Sequence, residues 1–262
     1  MAMRIAKRNA VRVPGFSALD DVVVEEPLDI RIDGVSMGIT MRTPGDDLDL
    51  VAGWLVSERI LADLSDVRTL AHLPGDDDEN TVAVVLADGA EASLPPPRAR
   101  FASSACGVCG RAAVPTQAPR NRLAFAPSSD VLTGWLARLS AHQIVFDATG
   151  GCHAALLLAA DGSWEVARED VGRHNAVDKA IGGALRAGWD PTDAHLIVTA
   201  RAGYEIIDKA VAAGLATVVA MGAPTSLAID VARAAAIALI GFARHDRHAV
   251  YNGSMAPEGQ QG

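Results

Sequence analysis

Apolar and polar positions alternate over residues 22–40 (VVVEEPLDIRIDGVSMGIT), with Asp33-Gly34 in their middle. Period-two alternation broken by an Asp-Gly pair predicts a β-hairpin, because the two turn positions need positive φ. Pro44-Gly45-Asp46 then opens a stretch in which Leu48, Val51, Leu55 and Ile60 recur at helical spacing. Two more strands are predicted at 67–73 and 81–86, parted by an acidic loop at 75–80. Residues 1–100 are thus expected to form a small α+β domain.

The periodicity stops at Pro95. Six prolines, Pro95, Pro96, Pro97, Pro115, Pro119 and Pro127, surround SSACGVCGRAA, and residues 101–127 read as a mobile loop and linker. Pattern returns after Ser128 and Ser129, which suit a helix N-terminus, with a helix over 131–139. Strand-like runs at 154–159, 164–167, 195–199 and 216–221 then alternate with helical patterns at 173–186, 204–213 and 226–239. Such alternation predicts a layered α/β domain over residues 128–254 with a substantially parallel sheet. Residues 255–262 have the composition of a disordered tail.

Composition sharpens this picture in three ways. Half of the 262 residues are apolar but only 4% are aromatic, which suits helices packed on a sheet better than an aromatic-rich sandwich. A net charge of −9 argues against a general nucleic-acid binder and leaves room only for a local basic site. Residues 1–13 lack the apolar core of a signal peptide, and the longest apolar run, 234–243, is too short to span a bilayer. No membrane association and a cytoplasmic location are expected. Three cysteines, two of them in one Cys-x-x-Cys, are poor material for a disulfide framework and fit thiol chemistry or metal binding.

Four groups of residues can carry chemistry. Cys106 and Cys109 are each followed by a glycine, Gly107 and Gly110, in the proline-bounded loop. A redox pair would prefer the start of a long helix, which Pro115 and Pro119 oppose; a zinc site needs two more ligands than adjacent Cys152 and His153 supply at the usual spacing. A persulfide carrier suits a loop that must visit two partners, but the spacing alone leaves the choice open. The second group, Arg168-Glu169-Asp170-Val171-Gly172-Arg173-His174-Asn175, reads most simply as acidic capping followed by a solvated helix with His174–Asp178 and Asn175–Lys179 pairs. Its density of polar side chains also suits a ligand. Third come two small-residue turns after predicted strands, 199–203 and 222–226, where Arg201, Thr225 and Ser226 and the following helix N-termini suit an anion. Fourth is Phe242-Ala243-Arg244-His245-Asp246-Arg247, a concentration of cations in an acidic chain. His72, His142, His195 and His248 have no evident partner and default to structural roles.

Taken together, SSACGVCG (103–110), TGGCHAALL (149–157), REDVGRHNAVDKAIG (168–182), ARAGYEIIDKA (200–210), APTSLAIDVA (223–232) and GFARHDR (241–247) resemble the FdhD family of formate dehydrogenase accessory sulfurtransferases, in the family's order. The resemblance implies a cytidine deaminase-like layered C-terminal domain without its zinc site, beside a smaller N-terminal domain. It implies a homodimer that accepts persulfide sulfur from a cysteine desulfurase on Cys106, with Cys109 as relay or resolving thiol. The sulfur would pass to the molybdenum of Mo-bis(molybdopterin guanine dinucleotide), bound at Phe242, Ala243, Arg244, His245, Asp246 and Arg247, before insertion into formate dehydrogenase. Cys152 stands where the family more usually has Thr, and 200–203 is a looser form of a Gly-Arg-x-Ser turn.

Two other readings belong to different classes. A zinc nucleotide deaminase would carry His-x-Glu and Pro-Cys-x-x-Cys, and this chain has neither, so no metal is expected. A non-catalytic molybdenum-cofactor chaperone would bind the same ligand without moving sulfur, and only the paired thiols speak against it.

Overall fold

The computed structural model describes residues 3–11, 17–73, 80–90, 92–94 and 125–255. Cys106 and Cys109, residues 75–79 of the acidic loop and residues 256–262 lie outside them. The chain opens with an antiparallel hairpin, β1 (Ile5–Val11) and β2 (Ser17–Val23), which takes Val22 and Val23 out of the predicted 22–40 hairpin. That hairpin is β3 (Glu26–Ile32) and β4 (Val35–Arg42), and its turn has Asp33 at φ 46° and Gly34 at φ 80°. Helix α1 (Asp47–Ser57) follows, then β5 (Val67–His72) and β6 (Thr81–Leu86). The first sheet runs β4-β3-β6-β5, with β3 and β6 parallel. Leu28, Ile30 and Ile32 on one strand face meet Leu50, Val51 and Leu55 of α1, so two different periods build one core.

The second sheet is built from residues 153–252. Its strands are β8 (His153–Leu158), β9 (Glu165–Asp170), β10 (His195–Val198), β11 (Thr217–Ala220), β12 (Ala238–Gly241) and β13 (Ala249–Asn252). The order is β13-β12-β11-β10-β8-β9; β10, β11 and β12 are parallel, while β8 runs antiparallel to both neighbours. Helices α4 (Arg173–Arg186), α5 (Tyr204–Ala212) and α6 (Ser226–Ala234) cover one face, and α2 (Ser129–Ala141) the other. Alternate residues of one strand serve the two cores: Ala155 and Leu157 point to α4, Leu156 and Leu158 to α2. The short α3 (Ile144–Thr149) links α2 to β8.

The helix predicted over 226–239 is corrected. It ends at Ala234; Ala236 turns the chain at φ 54°, and 238–241 are the strand β12. A strand buried on both faces is apolar throughout, so its run merged with the helix before it. The tail composition likewise gave no sign of β14 (Ser254–Met255), which pairs in parallel with β7 (Phe125–Ala126).

Helices α1 and α4 join the two sheets at backbone contact. A Cβ on Gly53 would lie 1.9 Å from the Asp178 carbonyl oxygen, and one on Gly182 would lie 1.9 Å from that of Asp49. Two glycines from distant parts of the chain therefore set the helix separation. With the large sheet on one side and α1 on the other, α4 has little solvent-facing surface in its first three turns.

Candidate functional site

The carboxyl ends of β10, β11 and β12 share one edge of the large sheet, and the turns after them are laced together. Met221 N–H donates to Val198 O at 2.9 Å, Gly222 N–H to Ala200 O at 3.0 Å, and Phe242 N–H to Gly222 O at 3.1 Å. Gly222 is required by the closeness of that crossing, since a Cβ there would meet Arg201 Cα at 2.8 Å. Arg201 stays exposed, and the Thr225 hydroxyl caps α6 by accepting from Ala228 N–H at 3.3 Å.

Residues 242–247 form the far end of this edge. Phe242 adopts a left-handed φ of 53° and is 48% exposed, although its neighbour Ala243 is fully buried. Arg244 shapes the loop: one guanidinium nitrogen donates to Met221 O at 2.6 Å and Ala243 O at 2.7 Å, and its backbone N–H reaches Arg247 O at 2.8 Å. Arg247 is exposed, 3.7 Å from an equally exposed Asp246, a separation and setting in which an ion pair has little strength. Thr133 of α2 donates to His245 O at 3.1 Å, so the first described helix after the Cys-x-x-Cys segment is tied to this loop.

The near end is the entrance of α4, and here the sequence reading is corrected. Glu169 and Asp170 are not in the first turn of α4; they end β9. Glu169 caps α3 instead, accepting the Val145 and Phe146 N–H groups at 2.8 Å. Nor is α4 solvated: His174, Asn175, Asp178 and Lys179 are all buried, and their partners are not one another. Asp170 pairs with Lys179 at 2.7 Å and also accepts from Thr43 N–H, Gly172 N–H and Asn175 Nδ2. Lys179 donates onward to Thr43 O, and Asn175 to Met41 O. Deeper in the seam, Asp178 pairs with Lys209 of α5 at 2.9 Å and accepts from the Ser57 hydroxyl. Burial disfavours the Lys209 ammonium, but Asp178 and Glu58 outweigh it and hold its pKa above the usual lysine range.

Arg173 and His174 remain at the edge. His174 Nε2 lies 2.9 Å from Glu205 Oε2, and Arg173 Nη2 3.8 Å from the same oxygen. His153, at the start of β8 beside them, is held below the usual histidine pKa by burial and by the charges of Arg173 and His174. Glu205 escaped the sequence reading, although an acid in the first turn of a helix after a small-residue turn is a visible signal. Cys152, one residue before His153, is buried against the Thr43 hydroxyl at 3.8 Å. Burial, with Glu169 and Asp170 nearby, pushes its thiol up to about 11, so it is a poor nucleophile at neutral pH.

Three of the histidines without an evident partner have found one. His195 stacks on Trp135 with ring centroids 4.6 Å apart, and burial lowers its pKa to about 4. His142 meets Glu165 at 3.2 Å, and His72 lies 4.0 Å from Asp47. Among the described residues no cluster of His, Cys, Asp and Glu could hold a metal, and no helix is long and apolar enough to cross a membrane.

Comparison with known proteins bears on this arrangement. The model of the FdhD/NarQ family matches residues 23–256. The chain is 42% identical over 267 residues to the sulfur carrier protein FdhD of Anaeromyxobacter dehalogenans, covering 94% of this chain and 91% of that protein. It is 42% identical over 260 residues to the protein of the same name from Nocardia farcinica, covering 95% and 93%. The fold matches the crystal structure of a provisionally assigned formate dehydrogenase accessory protein from Desulfotalea psychrophila, with a TM-score of 0.72, 21% identity and 97% of each chain covered.

Proposed function

Because this chain belongs to the FdhD/NarQ family, we propose that it is a sulfur carrier for the maturation of formate dehydrogenase. In this reading it acts as a homodimer in the cytoplasm, a sulfurtransferase between a cysteine desulfurase and Mo-bis(molybdopterin guanine dinucleotide), its cargo. Residues 1–100 form one domain and 128–254 a second, cytidine deaminase-like one, joined by the Cys-x-x-Cys segment.

The observation that carries the proposal is the make-up of the strand-end edge. Exposed Arg201, Arg244 and Arg247 and the N-termini of α5 and α6 face one side of an otherwise acidic protein, and α2 ties the end of the Cys-x-x-Cys segment to it. An anionic dinucleotide suits such an edge.

The chemistry is thiol exchange. The Cys106 thiolate attacks the outer sulfur of the desulfurase persulfide, forming one S–S bond and displacing the desulfurase thiolate. Cys109 thiolate then attacks the inner sulfur of the Cys106 persulfide, releasing hydrosulfide toward the bound molybdenum and leaving a Cys106–Cys109 disulfide. A thiol reductant restores the pair. The buried Cys152 takes no part.

Intact mass measurement after incubation with cysteine and a cysteine desulfurase tests this. One reducible sulfur is expected on the wild type and on Cys109→Ala, and none on Cys106→Ala. A wild type that gains no sulfur from a competent desulfurase would exclude the carrier role and leave cofactor binding alone.

A further inference from the structure

Two consecutive residues just past α1, Glu58 and Arg59, meet two consecutive residues of α5, Lys209 and Asp208, with their charges crossed. Glu58 Oε1 accepts from Lys209 Nζ at 2.8 Å. Arg59 donates to both carboxylate oxygens of Asp208, at 2.9 and 3.2 Å, and to its backbone carbonyl at 3.3 Å. The Arg59 backbone holds a left-handed φ of 58°, unfavourable for a non-glycine residue, and the bonds of its side chain offset that cost. Lys209 is fully engaged in the same joint. Its three N–H donors go to Glu58, to Asp178 Oδ2 at 2.9 Å and to Ser57 Oγ at 3.0 Å, so none is left for a ligand. The joint lies one helical turn behind the strand-end edge. Asp208 and Lys209 follow Glu205 by three and four residues, and Asp178 follows His174 by four. Helices α4 and α5 are thus linked at two levels, His174 to Glu205 at the rim and Asp178 to Lys209 beneath it. The lower link is also fastened to Ser57, Glu58 and Arg59, which belong to the unit that carries the first sheet.

We propose that Glu58 and Arg59 are positioning residues for the strand-end site, a clamp by which the first-sheet unit fixes where α5 begins; this rests on the nucleotide-binding reading given above. They act through α5. With the clamp closed, α5 cannot slide or tilt against α4, and its first turn keeps its place beside the turns after β11 and β12. With the clamp open, Ile206, Ile207 and Ala210 still bury the apolar face of α5. Apolar packing is non-directional, so it holds a helix on a sheet more firmly than it fixes the helix along its own axis. Directional, charge-assisted bonds supply the missing constraint.

Two measurements on the full chain test the clamp against a merely structural role. Calorimetry with GDP, which carries the guanosine and phosphates of the proposed cargo, reads the edge; intact mass after incubation with cysteine and a desulfurase reads persulfide loading. Arg59→Asp is expected to bind GDP roughly tenfold more weakly while loading sulfur as the wild type does, because loading needs the thiols and not the edge. Adding Asp208→Arg rebuilds the pair in reverse and should return GDP affinity to within about threefold of wild type. Unchanged GDP affinity in Arg59→Asp, a parallel loss of loading, or no recovery in the double variant overturns the proposal and leaves the nucleotide reading standing. Glu58→Gln covers a charge reversal that fails to fold, since its amide still accepts from Lys209 and the buried pair with Asp178 is kept. Hydrogen exchange in this variant should speed about fivefold over 208–212 of α5 and stay unchanged in β10 and β11. A uniform change, or none, counts against the clamp. If the wild type binds no GDP, the nucleotide reading itself falls, and the positioning role with it.

Discussion

RHNAVDK at the start of α4 and FARHDR after β12 look alike on paper, short runs of Arg, His and Asp beside small apolar residues. The molecule uses them in opposite ways. In the first, Lys179 and Asp170 have no solvent exposure and every charge is answered by a carboxylate, an ammonium or a backbone group of Met41 or Thr43. In the second, Arg247 and Asp246 are about three-quarters exposed, and the one well-anchored cation, Arg244, is bonded to carbonyls. The difference teaches that polar density marks two things, a buried seam whose charges are consumed by architecture and a surface edge whose charges face solvent.

The largest test of that contrast is Lys179→Met. It leaves the Asp170 carboxylate buried without its ion partner, and a loss of about 3–5 kcal/mol in denaturant unfolding is expected. A loss under about 1 kcal/mol would mean that the seam is not an obligate charge pair. The edge should answer differently. Replacing Arg244 and Arg247 together by Ala should weaken GDP binding roughly tenfold, about 1.4 kcal/mol, while unfolding stability falls by only about 1 kcal/mol, the worth of the Arg244 bonds to Met221 O and Ala243 O. Unchanged GDP affinity would remove 242–247 from the site.

A third test concerns Cys152, the thiol that sits in the seam. It should resist alkylation at pH 8 in the folded protein and react on unfolding. Its pKa is about 11 when folded, against 9.0 ordinarily, so above pH 9 the unfolded thiol releases its proton while the folded one keeps it. The unfolded state then binds fewer protons, and stability falls as pH rises from 9 to 11. Cys152→Ala should flatten that part of the pH profile; an unchanged slope would show that the thiol is not shielded.

Much of this was readable in the linear pattern, and the misreadings have one origin. The Asp33-Gly34 turn, the α1 stripe and the βα alternation were legible because each depends on residues a few positions apart. Phe242–Arg247 stood out as a cationic run, and its place at a strand end was hidden only by the merging of β12 with α6. The partners of the α4 residues were illegible: Thr43 lies more than a hundred positions from Asp170, and no local period reports such a meeting.

Local chemistry along the chain thus decided which segments are strands and helices, where thiols and cations concentrate, and the family to which they point. Tertiary structure alone decided which of those charges are spent. Gly53 and Gly182 let two helices touch, and that contact sealed α4 from water and turned a run resembling a solvated face into a buried ion network. The same packing left Glu205 at the edge, held by His174 and Arg173, because helix α5 begins where strand β10 stops. Burial belongs to the whole packed chain, and it sets whether a charged side chain is structure or recognition.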